Sequence, residues 1–487
     1  MASRPDTVAV VAGARALTFA ELDREANRVA AGLAGLGVGL GERVALVLPN
    51  DLEMVIAVYG VLRAGAAFCP INPTTKPAKL ERILEDVSAA AVLCDRESAE
   101  IVATAASPRA AIVSDIAELG AGAAPGAGAA MIGPDLAAVI YTSGSTGEPK
   151  GVTLTHSNMS FVADSIIEYL EMTEDDRILC VLPLSFGYGL YQLLTCVRCG
   201  ATLVLERGFG APGRIIQLLE ESRITGLPAV PTIFQVLLSL RGLADRELPH
   251  LRLLTNAGAG LPEPVVRSIR ETLPNAALYL MYGQSECQRV CYLPPAEADR
   301  RPTSVGIAIP GTEVWIEDDE GKPVGPGVVG ELMVRGPHVM QGYWGRDPGS
   351  EQRLRTGRWP WERVLRSGDL FRRDDDGYLY FVSRRDDMIK SRGEKVAPRE
   401  VEEALHAFAG VRDAAVVGVP HPMLGEAIHA HVSPNRGVEL DPTVLRRHCA
   451  AMLESHMVPQ LVVVHEELPR IGSGKIDRRK LAEVSDE

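Results

Sequence analysis

The run "YTSGSTGEPKG", residues 141–151, crowds hydroxyl side chains, glycines and a lysine directly behind the apolar "LAAVI". Gly144 and Gly147 free the backbone to point N–H groups at one anion. Thr142, Ser143, Ser145 and Thr146 add hydroxyl donors, and Lys150 adds a positive charge. Together they suit a phosphate group. The order is not that of the Walker loop, G-x-x-x-x-G-K-[ST], because Pro149 precedes Lys150 and Gly151 follows it. A kinase, which would release ADP, and the ordinary P-loop fold are therefore disfavoured. Taken alone, the run would also serve as a surface turn.

Other stretches carry chemistry of the same kind. "YGQSE" offers the aromatic face of Tyr282, the hydroxyl of Ser285 and the carboxylate of Glu286. A carboxylate beside a polyphosphate points to Mg²⁺, which takes hard oxygen ligands together with phosphates. "RSGDLF" places Asp369 in a turn, where it could accept both hydroxyls of a ribose, and Arg384 follows in "SRRDD". "PRIGSGKIDRRK" sets Lys475 on a glycine-rich loop with long reach. The basic residues after it leave a solvated tail as the other reading. Cys196 and Cys199 have metal or redox spacing, but no second such pair accompanies them, so buried thiols are expected.

Elements must position these groups. "LTFAELDREANRVAAGLAGLG" carries apolar residues at helical spacing and ends in glycine. "ERVALVLP" reads as a buried strand, "DLEMVIAVYGVLRAG" as a helix and "FCPIN" as a strand. This alternation predicts βα units on a largely parallel sheet. After the Gly/Ala/Pro-rich connector at 120–134 comes a strand, then the run at 142–150, then the helix pattern "SNMSFVADSIIEYL". Open parallel sheets bind ligands beyond the carboxyl ends of their strands. Three polar tips follow strands here, at 142–150, 256–260 and 282–286. Beyond Gly311, short strands and Gly/Pro turns predict a small antiparallel unit. The expected fold is α/β: a large domain over 1–384 and a small α+β domain over 385–487.

The chain has 487 residues and a formal net charge of -13, which argues against a nucleic-acid surface. No run reaches the apolar length of a membrane span and no signal peptide is visible, so the cytosol is the default location.

These segments, in this order, resemble the adenylate-forming superfamily of acyl-CoA synthetases, adenylation domains and luciferase-like enzymes, from about Leu17 to Leu481. They are also similar to a bacterial acyl-CoA-synthetase-like subgroup. The resemblance implies a small mobile C-terminal domain and an active site between the two domains. It implies that residues 142–150 hold the β- and γ-phosphates of ATP, that Gly258 and Ala259 flank the adenine, and that Tyr282 stacks on it. Ser285 would touch the α-phosphate, Glu286 hold Mg²⁺, Asp369 bind the ribose with Arg384 assisting, and Lys475 bridge the acid and the α-phosphate. Asp386 matches the hinge. Gly393 would enter the site for the second step, in which CoA or the phosphopantetheine of an acyl carrier protein takes the acyl group.

Two departures concern the pocket for the small-molecule acid, for which Phe186, Tyr188, Gly283 and Arg289 are the candidates. Phe186 stands where relatives often have a histidine, and with Tyr188 it would shape an aromatic pocket or merely pack. Arg289 either pairs with a structural carboxylate or faces the pocket, where it would favour a polar or anionic substrate. Some relatives of this fold are diazotases that activate nitrite for reaction with an aromatic amine, and the ATP machinery would read the same. A carrier-protein ligase and a non-catalytic nucleotide-binding regulator are the remaining alternatives; the occupied catalytic positions argue against the regulator.

Overall fold

The computed structural model describes residues 4–107, 110–121, 129–143, 149–240, 242–346, 353–392, 394–471 and 474–484. Among them the strands form four sheets. The first has nine strands, and its centre runs Ala277–Tyr282, Leu253–Asn256, Gly226–Ala229, Arg177–Cys180, Thr202–Leu205, Val8–Ala12, all parallel. The second has seven strands around a parallel centre of Ala67–Ile71, Arg43–Val47 and Ala91–Cys94. Those strands are buried almost throughout, as their continuous apolar runs require. Helices cover both sheets. Phe19–Gly35 buries Phe19, Leu22, Ala26, Val29 and Leu33 at helical spacing. Its start is fixed by a reciprocal cap: Glu21 N donates to Thr18 Oγ1 at 3.2 Å, and Thr18 N donates to Glu21 Oε2 at 2.8 Å.

The phosphate-loop region departs from the expected strand–loop–helix order. A further strand, Pro149–Thr155, pairs antiparallel with Leu136–Ser143, placing Thr142 opposite Lys150 and Ser143 opposite Pro149. The two flanks of the run thus pair with each other, and Gly144, Ser145, Thr146 and Gly147 lie outside the described residues. The helix His156–Tyr169 begins only after Thr155 and Asn158 form its own capping box.

The third sheet is the antiparallel unit expected beyond Gly311. Its long strand Arg363–Arg373 lies between Gly330–Arg335 and Leu354–Thr356 and also pairs with Leu379–Arg384. The fourth begins with Ile389–Ser391 and is built on Val411–His421 and Gly425–Pro434, with Leu461–Val464 beside the latter. The helix Pro398–His406 starts at a proline, a residue suited to the first helical position. A large N-terminal domain and a smaller C-terminal one result. Their surfaces meet where Arg399 Nη2 donates to Thr303 O at 3.4 Å and Gln235 Nε2 donates to Arg412 O at 3.2 Å.

Candidate active site

Lys475 is carried by a tight loop of the small domain. Ile471 N donates to Lys475 O at 2.9 Å, Gly474 N to Ile471 O at 2.8 Å, and Arg470 Nη1 to Gly474 O at 3.0 Å. Arg470 also pairs with buried Asp413 at 3.0 Å, tying the loop to its own domain. The lysine projects across the cleft toward the large domain: a Cβ built on Gly258 would sit 3.7 Å from Lys475 Cε. Solvent still reaches the side chain, but the surrounding protein pulls its amine below the ordinary lysine range. Arg384 adds to that effect and Asp369 opposes it.

Asp369 and Arg384 are cross-strand partners on Arg363–Arg373 and Leu379–Arg384. Arg384 Nε stands 3.9 Å from Asp369 Oδ1, while the Tyr282 hydroxyl donates to Oδ2 at 2.5 Å. Burial raises the Asp369 carboxyl above the usual carboxylate range, against the pull of Tyr282, Arg384 and Arg353. The Tyr282 ring meets Phe371 edge-on, with centroids 4.9 Å apart.

Glu286 is 8% exposed. Its Oε1 accepts from the Tyr343 hydroxyl at 2.7 Å, and Lys150 Nζ lies 5.3 Å from the centre of the Tyr343 ring. The hairpin of Lys150 and the Glu286 carboxylate therefore meet at one tyrosine. The other Glu286 oxygen has no protein partner among the described residues, and no cluster of three metal-ligating side chains occurs among them. One carboxylate oxygen left open beside the Lys150 hairpin would fit Mg²⁺, which takes hard oxygen ligands together with phosphates and water.

Arg353 was not foreseen. It lies in the field of Glu286, Asp369 and Asp386, and its Nη1 donates to Arg366 O at 3.3 Å. Gly368, inside the "RSGDLF" motif, makes the room: a Cβ there would come 2.2 Å from Arg353 Nη1. Nothing in the sequence linked Arg353 or Tyr343 to the site, since each is a lone polar side chain in a loop-rich segment.

At 256–260, Asn256 Nδ2 donates to Ala259 O at 2.9 Å, folding the strand end into the turn that presents Gly258 and Ala259. Ser285 O accepts from Gln288 Nε2 at 2.8 Å. Phe186 precedes the helix Gly187–Cys199 and is half-buried. Tyr188, on that helix, donates to Thr255 O at 2.8 Å. Gly283 packs under Gln288 and Arg289. Arg289 is buried against Tyr188, its guanidinium 5.2 Å from the ring centre, and no ion pair to it exists among the described residues. Asp386 is exposed in the link between the third and fourth sheets, and Gly393 lies outside the described residues. Cys196 and Cys199 are free thiols on Gly187–Cys199.

Residues 1–344 match the family described as AMP-binding enzyme, and residues 400–475 match the AMP-binding enzyme C-terminal domain. The chain belongs to the AMP-binding enzymes. A feruloyl-CoA synthase of an Amycolatopsis species is 35% identical over 97% of this chain and 94% of its own. The ATP-bound crystal structure of MatB from Rhodopseudomonas palustris superposes with a TM-score of 0.93 at 28% identity, covering 100% of this chain and 97% of its own. MenE from Bacillus subtilis, an o-succinylbenzoate CoA synthetase in complex with its acyl-adenylate intermediate, gives 0.87 at 30%, covering 98% and 95%. This AMP-binding enzyme is thus an AMP-forming ligase of the acyl-CoA-synthetase kind, which activates an acid with ATP. No helix among its described residues is long and apolar enough to cross a membrane.

Proposed function

We propose that this enzyme converts a small-molecule carboxylic acid to its acyl adenylate and then to a CoA thioester, with the residues above in the roles their positions suggest. A carboxylate oxygen attacks the α-phosphorus, the bond to the β-phosphate oxygen breaks, and pyrophosphate leaves. Charge builds on phosphoryl oxygens in this step, so placed cations and donors do most of the work. Lys475 serves the α-phosphate and the acid, while Lys150 and the hairpin hydroxyls serve the leaving pyrophosphate. Asp369 holds the ribose, and Ser285 lies along the α-phosphate. When bound at Glu286, Mg²⁺ neutralises phosphate oxygens. The thiolate sulfur then attacks the acyl carbon and AMP departs. For this step the small domain, taken as 385–487, turns about Asp386, withdrawing Lys475 and bringing Gly393 toward the acceptor.

The observation that carries this reading is the meeting of Lys475, from one domain, with Asp369, Arg384 and Gly258 of the other. That is the arrangement the first half-reaction needs. The relatives named as a feruloyl-CoA synthase and an o-succinylbenzoate CoA synthetase support CoA as acceptor over a carrier protein.

The test supplies ATP and Mg²⁺ with a panel of acids, and with nitrite plus an aromatic amine, each with and without CoA or a phosphopantetheinylated carrier protein. AMP and pyrophosphate with an acid, and a thioester only when CoA is present, are expected. AMP with nitrite alone would replace the acid by that oxyanion, and ADP would remove the reading altogether.

A further inference from the structure

Around Arg289 the large domain buries more polar chemistry than packing requires. Arg289 is 4% exposed and Tyr191 is 2% exposed. Arg289 Nε and the Tyr191 hydroxyl have no hydrogen-bond partner among the described residues. The two interact electrostatically, as does Arg289 with Tyr188 and Tyr169. Tyr169 donates to Met281 Sδ at 3.0 Å. The guanidinium is thus ringed by phenols, and no described carboxylate balances its charge. A buried cation without a counter-charge is strongly unfavourable unless something else supplies one.

The local backbone is built to turn this arginine inward. Gln288 has a left-handed φ of 60°, and Arg289 N donates to Cys287 O at 2.7 Å, closing a very tight turn. A Cβ on Gly283 would lie 2.2 Å from Gln288 O, and one on Gly187 would lie 2.2 Å from Gln288 Oε1. Glycine at both positions admits the turn, so the strain is accommodated by two independent elements. Meanwhile the charges acting on Lys475 are Arg384 and Asp369, not Arg289.

We propose that Arg289, with the Tyr191 hydroxyl, binds a second anionic oxygen group at the far end of the substrate, so that the acid activated here is a dicarboxylate or an equivalent ω-anionic acid. This rests on the acid-activation reading and names its substrate class. The reacting carboxylate goes to Lys475, and the distal anion neutralises Arg289. Tyr188, held by Thr255, forms the wall between them.

The test compares succinic, glutaric and terephthalic acids with their monomethyl esters, using the full chain. AMP release and calorimetric binding are both measured. The diacid that fits is expected to exceed its half-ester in kcat/KM by about 10–100-fold, the range of a charge-assisted hydrogen bond. Arg289→Met should abolish or reverse that preference, lowering kcat/KM far more on the diacid than on the half-ester, and Arg289→Lys should keep part of it. Melting of unliganded Arg289→Met should be unchanged or raised, because the variant removes an uncompensated charge. A wild-type enzyme indifferent to the distal carboxylate would overturn the proposal. So would equal losses on diacid and half-ester in Arg289→Met, the mark of a structural arginine or of one that binds the reacting group. If nothing in the panel yields AMP, the activation reading falls, and diacid binding lost in Arg289→Met would still sustain the distal anion site. Diacid binding that is absent, or unchanged in the variant, would end it.

Discussion

The Tyr282 hydroxyl donates to Asp369 Oδ2 at 2.5 Å across 87 residues of sequence. It joins the end of a nine-stranded-sheet strand to the long strand of the antiparallel unit. One carboxylate oxygen is thereby held in place, with Arg384 beside the other. Replacing Tyr282 by Phe should cost about 1.5–3 kcal/mol of stability, as for a hydrogen bond to a charged group, and raise KM for ATP. Asp369→Ala should raise that KM more than tenfold, about 1.4 kcal/mol or beyond. Unaltered ATP dependence in both variants would show that the ribose binds elsewhere.

Lys475→Ala should slow adenylate formation by about 10²–10³, the loss seen when one preorganised donor to a developing charge is removed. Thioester formation from a supplied acyl adenylate and CoA should stay near wild type. Single-turnover assays of each half-reaction separate the two. Comparable damage to both would remove Lys475 from its assigned step.

The depressed amine of Lys475 sets a pH dependence. The protonated form is the useful one, so activity falls as pH rises through its pKa. Because that pKa lies below the ordinary lysine value, the alkaline limb of kcat/KM should come earlier than about 10.4. Bound phosphates favour the charged amine, so the limb of kcat should lie at higher pH than that of kcat/KM. Coincident limbs would assign the titration to another group.

His338 offers a stability test away from the cleft. It is fully buried, stacks on Phe161 with centroids 5.4 Å apart, and neither ring nitrogen has a partner among the described residues. Burial pushes its pKa from 6.5 to about 4. Between those values the unfolded chain binds a proton that the folded one refuses, so stability is lost as pH falls from 6.5 toward 4, by about 3 kcal/mol in full. His338→Phe should flatten this part of the profile in denaturant titrations at pH 7 and pH 4.5. An unchanged difference between the two pH values would count against it.

Gly368 combines a φ of 69° with the contact to Arg353. Gly368→Ala should displace the guanidinium and impair adenylate formation. Arg353→Ala should lower the same half-reaction without the backbone penalty. Comparing their melting points with their rates tells whether the arginine or the turn matters.

Much of this was legible in the sequence because several groups of the site follow strands directly. Tyr282 ends its strand, Asn256 ends another, and the tip beyond each is polar. Apolar spacing and a closing glycine marked the helix Phe19–Gly35. The hairpin strand Pro149–Thr155 was not legible as such, because its proline and glycine hid the β-branched alternation of "VTLT". Tyr191 escaped notice because it occupies an apolar face of Gly187–Cys199, where an aromatic residue ordinarily packs. Whether Arg289 had a carboxylate partner depended on side chains such as Tyr169 that are far away in sequence, and no local pattern encodes such a distance.

Each of the four sheets contributes a separate part of the cleft: the hairpin with Lys150, the strand ends with Asn256 and Tyr282, the cross-strand pair Asp369 and Arg384, and the loop of Lys475. None of the sheets holds a complete set. Catalysis is therefore a gauge of how the sheets are seated on one another, and loosening any seam should silence the enzyme before its secondary structure melts.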